Sequence, residues 1–195
     1  SGVLGRKVTV EGGASARLVP FPSVTFENVK VGDDAENPAM TIEKFSMDAE
    51  LAPFLKGEVL IFDMRVEKPR MFVSVAPDGT VDWVLRPHSP KGVENISLER
   101  VVISNGAVEI NNQAADRLDT IEAIHATVSA KSLAGPWRFE GSLTFNEEAL
   151  YISGASASAE EDGALPLRVS VNPTKRSMLA ELSGKSVKEL LDERY

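Results

Sequence analysis

Apolar and polar residues alternate one for one along much of this chain, and that pattern restricts its folding more than any other feature. Phe45, Met47, Ala49 and Leu51 interleave with Ser46, Asp48 and Glu50. Leu60, Phe62, Met64 and Val66 interleave with Ile61, Asp63, Arg65 and Glu67. The same rhythm returns at Ile124, Ala126, Val128 and Ala130, at Trp137, Phe139, Leu143 and Phe145, and at Leu167, Val169 and Val171. Successive residues of a strand point to opposite faces, so each run has one greasy and one wet side. The pattern predicts an all-β, mainly antiparallel fold. Asp78-Gly79 and Asn105-Gly106 lie between apolar runs and read as hairpin turns, with further turns at Lys56-Gly57, Gly135-Pro136 and Asp162-Gly163. Gly154 to Gly163 reads as the start of a strand that ends in a loop. Only the end of the chain looks helical. There Ser186 and Glu189 fit a capping box, and Val187, Leu190 and Leu191 form an apolar stripe.

The chain also resembles itself. Val24 to Val31 is similar to Ile96 to Ile103, and Thr41-Ile42-Glu43 returns as Thr120-Ile121-Glu122. After each triplet the apolar parity flips, from Ile42 to Phe45 and from Ile121 to Ile124, so a bulge or bend is expected at both places. The 195 residues are therefore read as a single elongated domain holding two repeat-like units, about 20–75 and about 95–153, joined edge to edge.

The residues that usually carry chemistry are scarce. Cysteine is absent, which removes thiol nucleophiles, zinc fingers and disulfides. The two histidines are His88, in a proline-bracketed stretch, and His125, on the polar parity of a strand; neither has metal-ligand spacing to a partner. Asp33-Asp34-Ala35-Glu36-Asn37 lacks the ligand spacing of a calcium loop and reads as a charged turn. No nucleophile elbow and no phosphate cradle is present. The expectation is no enzyme, no catalytic residue, no metal and no cofactor. A formal charge of −8, with no basic cluster, argues against nucleic acid as a partner. With 43% hydrophobic and 26% charged residues the chain is globular in composition. Its longest wholly apolar runs, such as Val59 to Phe62, are far short of a membrane span.

What remains is a large amount of alternating apolar surface. Phe45, Met47, Leu51, Leu60, Phe62, Met64, Val66, Ile124, Val128, Trp137, Phe139, Leu143 and Phe145 are expected on one side. Two readings fit. In one, the side chains of two sheets interdigitate in a sandwich core. In the other, a curved sheet forms an apolar groove that holds a long apolar guest.

A series of short motifs resembles the AsmA family of Gram-negative envelope proteins. The first is Pro20-Phe21-Pro22-Ser23-Val24-Thr25-Phe26-Glu27-Asn28-Val29-Lys30-Val31-Gly32. Ile42-Glu43-Lys44-Phe45 and Leu51-Ala52-Pro53-Phe54-Leu55-Lys56-Gly57-Glu58-Val59 follow, then Glu67-Lys68-Pro69-Arg70. Asp78-Gly79-Thr80-Val81-Asp82-Trp83 resembles the family's D-G-x-x-N-W signature, with Asp82 in place of asparagine. Ile96-Ser97-Leu98-Glu99-Arg100-Val101 and Gly135-Pro136-Trp137-Arg138-Phe139-Glu140-Gly141 are similar to later blocks, so the likeness runs from about residue 5 to about residue 190. The resemblance implies an N-terminal periplasmic piece of a longer protein, tethered to the inner membrane by a helix ahead of Gly5. It also implies an apolar trough that carries phospholipid between the inner and outer membranes and supports outer-membrane assembly. The alternative is a structural module of outer-membrane protein biogenesis that contacts envelope assembly proteins through strand edges, without lipid.

Overall fold

Alternating runs bury their apolar side only when several lie side by side, because a lone hairpin is barely stable in water. In a computed structural model of the chain they do so within one twelve-stranded sheet. The structure describes residues 7–173 other than 35, 55, 79–80, 83–94, 114, 134 and 158–166. In chain order the elements are β1 (Val8–Val10), β2 (Ala14–Arg17), β3 (Ser23–Val31), β4 (Met40–Ala49), one helical turn α1 (Leu51–Phe54), β5 (Val59–Glu67), β6 (Arg70–Val75), β7 (Val81–Asp82), β8 (Ile96–Asn112), β9 (Arg117–Ala130), β10 (Trp137–Phe145), β11 (Glu148–Ser156) and β12 (Leu167–Pro173).

Across the sheet the order is β1, β3, β4, β5, β8, β9, β10, β11, β12. β2 continues β1 along β3, β6 continues β5 between β4 and β8, and β7 pairs with the end of β6. Pairing is antiparallel except where β5 and β6 run parallel to β8. The fold is one large mixed sheet, mostly antiparallel. A parallel pair cannot be joined by a hairpin, and β8 accordingly begins well after β6 ends in the chain.

The strands do not run straight. Asn28 (φ 52°), Lys68 (φ 48°), Asn105 (φ 53°) and Ala123 (φ 49°) all adopt the left-handed region in the middle of the sheet. Asn28 lies between the pairs Glu27↔Lys44 and Val29↔Ile42, opposite Glu43. Glu43 is ion-paired with Lys68 at 2.8 Å. Asn105 lies between Glu67↔Ser104 and Arg70↔Ala107, opposite Lys68. Together they mark a crease across neighbouring strands. At this level the apolar side steps by three residues rather than two, from Phe26 to Val29, from Phe45 to Ile42 and from Ile103 to Gly106. Because β3, β4, the β5–β6 strand and β8 all slip together, their mutual register is unbroken. β9 slips slightly later, at Ala123, and β10 does not slip at all. The β8–β9 and β9–β10 pairings shift there, as a bulge requires.

Both expected parity flips are present, in different forms. After Glu122 it is a bulge, at Ala123. After Glu43 it is a bend, since the flip of β4 is shared by its neighbours and needs no extra residue. Asn105-Gly106, by contrast, is not the expected hairpin turn: β8 reads straight through it as a 17-residue strand. Asparagine tolerates a positive φ with little strain, so the residue that signals a turn serves the crease instead. The two-residue turn between β10 and β11 is Asn146-Glu147, both at positive φ (48° and 63°), the conformation a tight hairpin of this twist demands. The Lys56-Gly57 turn is present, with Gly57 at φ 80°. The C-terminal helix expected near Ser186 to Leu191, the Asp162-Gly163 turn and His88 lie outside the described residues.

Two small clusters of buried residues flank the crease. Val29, Val31 and Ile42 pack with Phe26, Phe45, Val66 and Met71. Ile61, Leu98, Val101 and Ala130 pack with Met47, Met64, Val128 and Trp137. Among the described residues every extensive contact between elements joins hydrogen-bonded strand neighbours, or α1 to β5. No second sheet covers either face among those residues.

Candidate functional site: one apolar sheet face

Residues paired across neighbouring strands project to the same side, so the registers sort the sheet into rows. One row reads Phe26–Phe45–Val66–Ile103–Ala126–Gly141–Ile152–Val171. The next reads Val24–Met47–Met64–Val101–Val128–Phe139–Gly154–Val169. Beyond the crease, Val31–Met40–Met71–Val108–Ile121–Phe145 forms another. Every member of these rows is apolar or glycine. The opposite face carries rows such as Thr25–Ser46–Arg65–Val102–Thr127–Glu140–Ser153–Ser170. One side is greasy across eight strands and the other is wet.

Small residues lie where the face is most crowded. A Cβ on Gly106 would meet Ile124, Pro69 and Ile103 side chains at 3.2–3.4 Å, so rows from both sides of the crease converge there. A Cβ on Gly141 would land on the His125 carbonyl oxygen and 2.7 Å from Ala126 Cα. The Phe139 ring lies across Gly154, where glycine leaves room for it.

Ten of the residues expected on this face are there: Phe45, Met47, Met64, Val66, Ile124, Val128, Trp137, Phe139, Leu143 and Phe145. All ten are half-buried rather than sealed. Three are placed differently. Leu60 sits beside Ser97 on the other face, in a hollow with Pro53, Asn95 and Lys131. The buried Ile61 takes its place beside Leu98 and Met64. The cause is a second slip, in β5 and β8 alone: the buried residues step from Ile61 to Met64 and from Leu98 to Val101, and the pairing of both strands with their outer neighbours shifts. Phe62 is the extra residue of that shift, and its ring meets Phe21 edge-on at 5.5 Å. Leu51 is 50% exposed on α1. The sequence reading missed Val24, Phe26, Val101, Ile103, Ile152, Val169 and Val171 as members of the face. Their alternation was visible in β3 and β12, whereas Val101-Val102-Ile103 hides it in an unbroken apolar run.

The polar face holds most of the charges. Lys30 pairs there with Glu11 at 2.9 Å and Arg65 with Asp63 at 2.6 Å, whereas Arg117 and Asp119, paired at 2.8 Å at the start of β9, share the side of Ile121. Tyr151 Oη donates to Glu140 at 3.3 Å. The carboxylate's charge raises the phenol's pKa above the ordinary tyrosine range. Asp34 accepts from the Glu36 amide (2.9 Å) and from Asn37 (3.3 Å), which holds its carboxyl below the usual range and makes the expected charged turn a self-bonded one. His125 is exposed on this face. No group of three or more possible metal ligands occurs among the described residues, and no helix among them is long and apolar enough to cross a membrane.

No family model matches the chain, and no curated protein or solved structure does either.

Proposed function

We propose that this chain is a non-catalytic lipid-binding module of an AsmA-like envelope protein, periplasmic and tethered to the inner membrane, which holds phospholipid acyl chains along its apolar face and supports outer-membrane assembly. The observation that carries the reading is the unbroken apolar face of a sheet with no second layer over it among the described residues. Nine strands side by side span about 38 Å, taking 4.8 Å per strand step. That exceeds the roughly 15 Å that one leaflet's chains occupy in a bilayer. Each methylene kept from water is worth about 0.8 kcal/mol, so a chain lying along a row of Val, Met, Phe and Ile gains what it would lose in an aqueous gap. Methionines at Met40, Met47, Met64 and Met71 give that surface side chains that adapt to a flexible guest. The polar face keeps such a module in solution, and no nucleophile or metal is needed. The family assignment rests on the resemblance of the sequence motifs.

Native mass spectrometry of the protein purified without detergent tests this directly. The expected spectrum carries adducts with phospholipid masses, displaced by a fluorescent fatty acid added in excess. A lipid-free spectrum, with no uptake of the fluorescent probe, would reject lipid binding.

A second reading draws on β12, the last strand of the sheet among the described residues, where Val169 and Val171 are 50% and 55% accessible. The outer backbone groups of such a strand can template a partner strand. This favours a structural module that contacts envelope assembly proteins by strand addition. A lipid-free protein that loses a partner when Val171 is changed to proline would support it.

A further inference from the structure

The geometry points to a second, polar binding site on the opposite face of the sheet: a phosphate-recognition site for a phosphorylated saccharide or saccharide-like headgroup, built on Arg138 and Arg168. It does not rest on the lipid reading, because its polar groups belong to the wet face, although Phe139 and Gly154 of an apolar row also border the hollow. Arg138 pairs across β11 with Ala155, and Ala155 pairs with Arg168. Two guanidinium-bearing strands, about 10 Å apart at the backbone, therefore flank a residue with nothing beyond Cβ. They share a hollow of about 570 Å³ whose walls also carry the hydroxyls of Ser129, Ser153 and Ser170.

Neither arginine has an ion pair among the described residues, and the molecule holds its own control for that. Arg65 and Asp63, and Arg117 and Asp119, lie two apart on a strand and close into ion pairs. Arg138 and Glu140 have the same spacing and do not. Glu140, itself on the wall of the hollow, instead accepts from the Tyr151 phenol. Tyr151 thus acts as a positioning residue that holds this carboxylate out of an ion pair with Arg138. Among the described residues the two guanidiniums line one hollow without an ion pair, an arrangement suited to an external anion. Guanidinium forks match phosphate oxygens in two parallel hydrogen bonds, and the serine hydroxyls suit the hydroxyls of a sugar ring.

Calorimetric titration of the protein with glucose 6-phosphate, glucose and inorganic phosphate tests the site. Glucose 6-phosphate is expected to saturate and to bind at least about tenfold more tightly than glucose. Arg138→Ala and Arg168→Ala are each expected to weaken it about tenfold, whereas Arg117→Ala, already paired with Asp119, has no effect. Tyr151→Phe is expected to weaken it as well, by releasing Glu140 towards Arg138. Flotation with phosphatidylcholine vesicles carrying phosphatidylinositol 4-phosphate separates the sources. Arginine-dependent flotation assigns the site to a lipid-borne headgroup, and arginine-dependent binding of glucose 6-phosphate alone assigns it to a soluble ligand. No saturable binding in either arm, or binding that survives both arginine substitutions, would overturn the proposal.

Discussion

Phe139→Asp places a carboxylate in the middle of the apolar face, beside Val128 and Gly154. If the ring faced a second protein layer, the new charge would be buried without a partner, at a cost of about 3–5 kcal/mol or more. That would consume much of the 5–15 kcal/mol that holds a typical domain together. In a one-layer sheet the carboxylate reaches water. The loss is then the contact area of a half-buried ring, half of the roughly 1.5–3 kcal/mol of a fully buried one, so about 0.8–1.5 kcal/mol. For a chain of this length that lowers the melting temperature by about 2–6 °C. Urea denaturation followed by circular dichroism should show a lower midpoint at unchanged slope, and native mass spectrometry of the same variant should show reduced lipid. A loss above about 4 kcal/mol, or no folded protein, would refute the reasoning by showing that Phe139 is sealed in a closed interior.

Gly141→Ala drives a Cβ into the β9 backbone at His125 and Ala126, so a loss of about 1–3 kcal/mol is expected in the same urea assay. Ala123→Gly relieves a positive φ at an exposed bulge and should stabilise by up to about 1 kcal/mol, read as a higher melting temperature. Ser156→Ala removes the oxygen that accepts from the Trp137 amide at 2.9 Å, and leaving that half-buried donor unpaired should cost about 1–2 kcal/mol. Tyr151, whose pKa is raised by the neighbouring Glu140 charge, holds its proton to higher pH in the folded state than in the unfolded chain. That contribution to stability is present below the ordinary tyrosine range and is lost as pH rises through the folded value. Glu140→Gln should move the phenolate absorbance titration of Tyr151 to lower pH.

Strand identity and facing were legible in the chain because alternation is a local property: a residue and its neighbour two positions on share a side whatever else folds around them. Hence alternation alone puts Phe45 and Met47, Ile124 and Val128, and Trp137 to Phe145 on one face, and the scarcity of histidine and cysteine is plain from composition. The slips were not legible in full, since their form depends on what the next strand does at the same level. From within β4 the parity flip after Ile42 reads equally as a bulge or a bend. It became a crease because Asn28, Lys68 and Asn105 make the same step beside it. Leu60 and Ile61 exchanged faces for a similar reason, through a shift shared by β5 and β8. The parallel join of those two strands, the turn of Glu140 towards Tyr151 and the lack of a covering layer among the described residues are all long-range outcomes. They are set by which strands become neighbours and in what register, and no single run of residues contains that information.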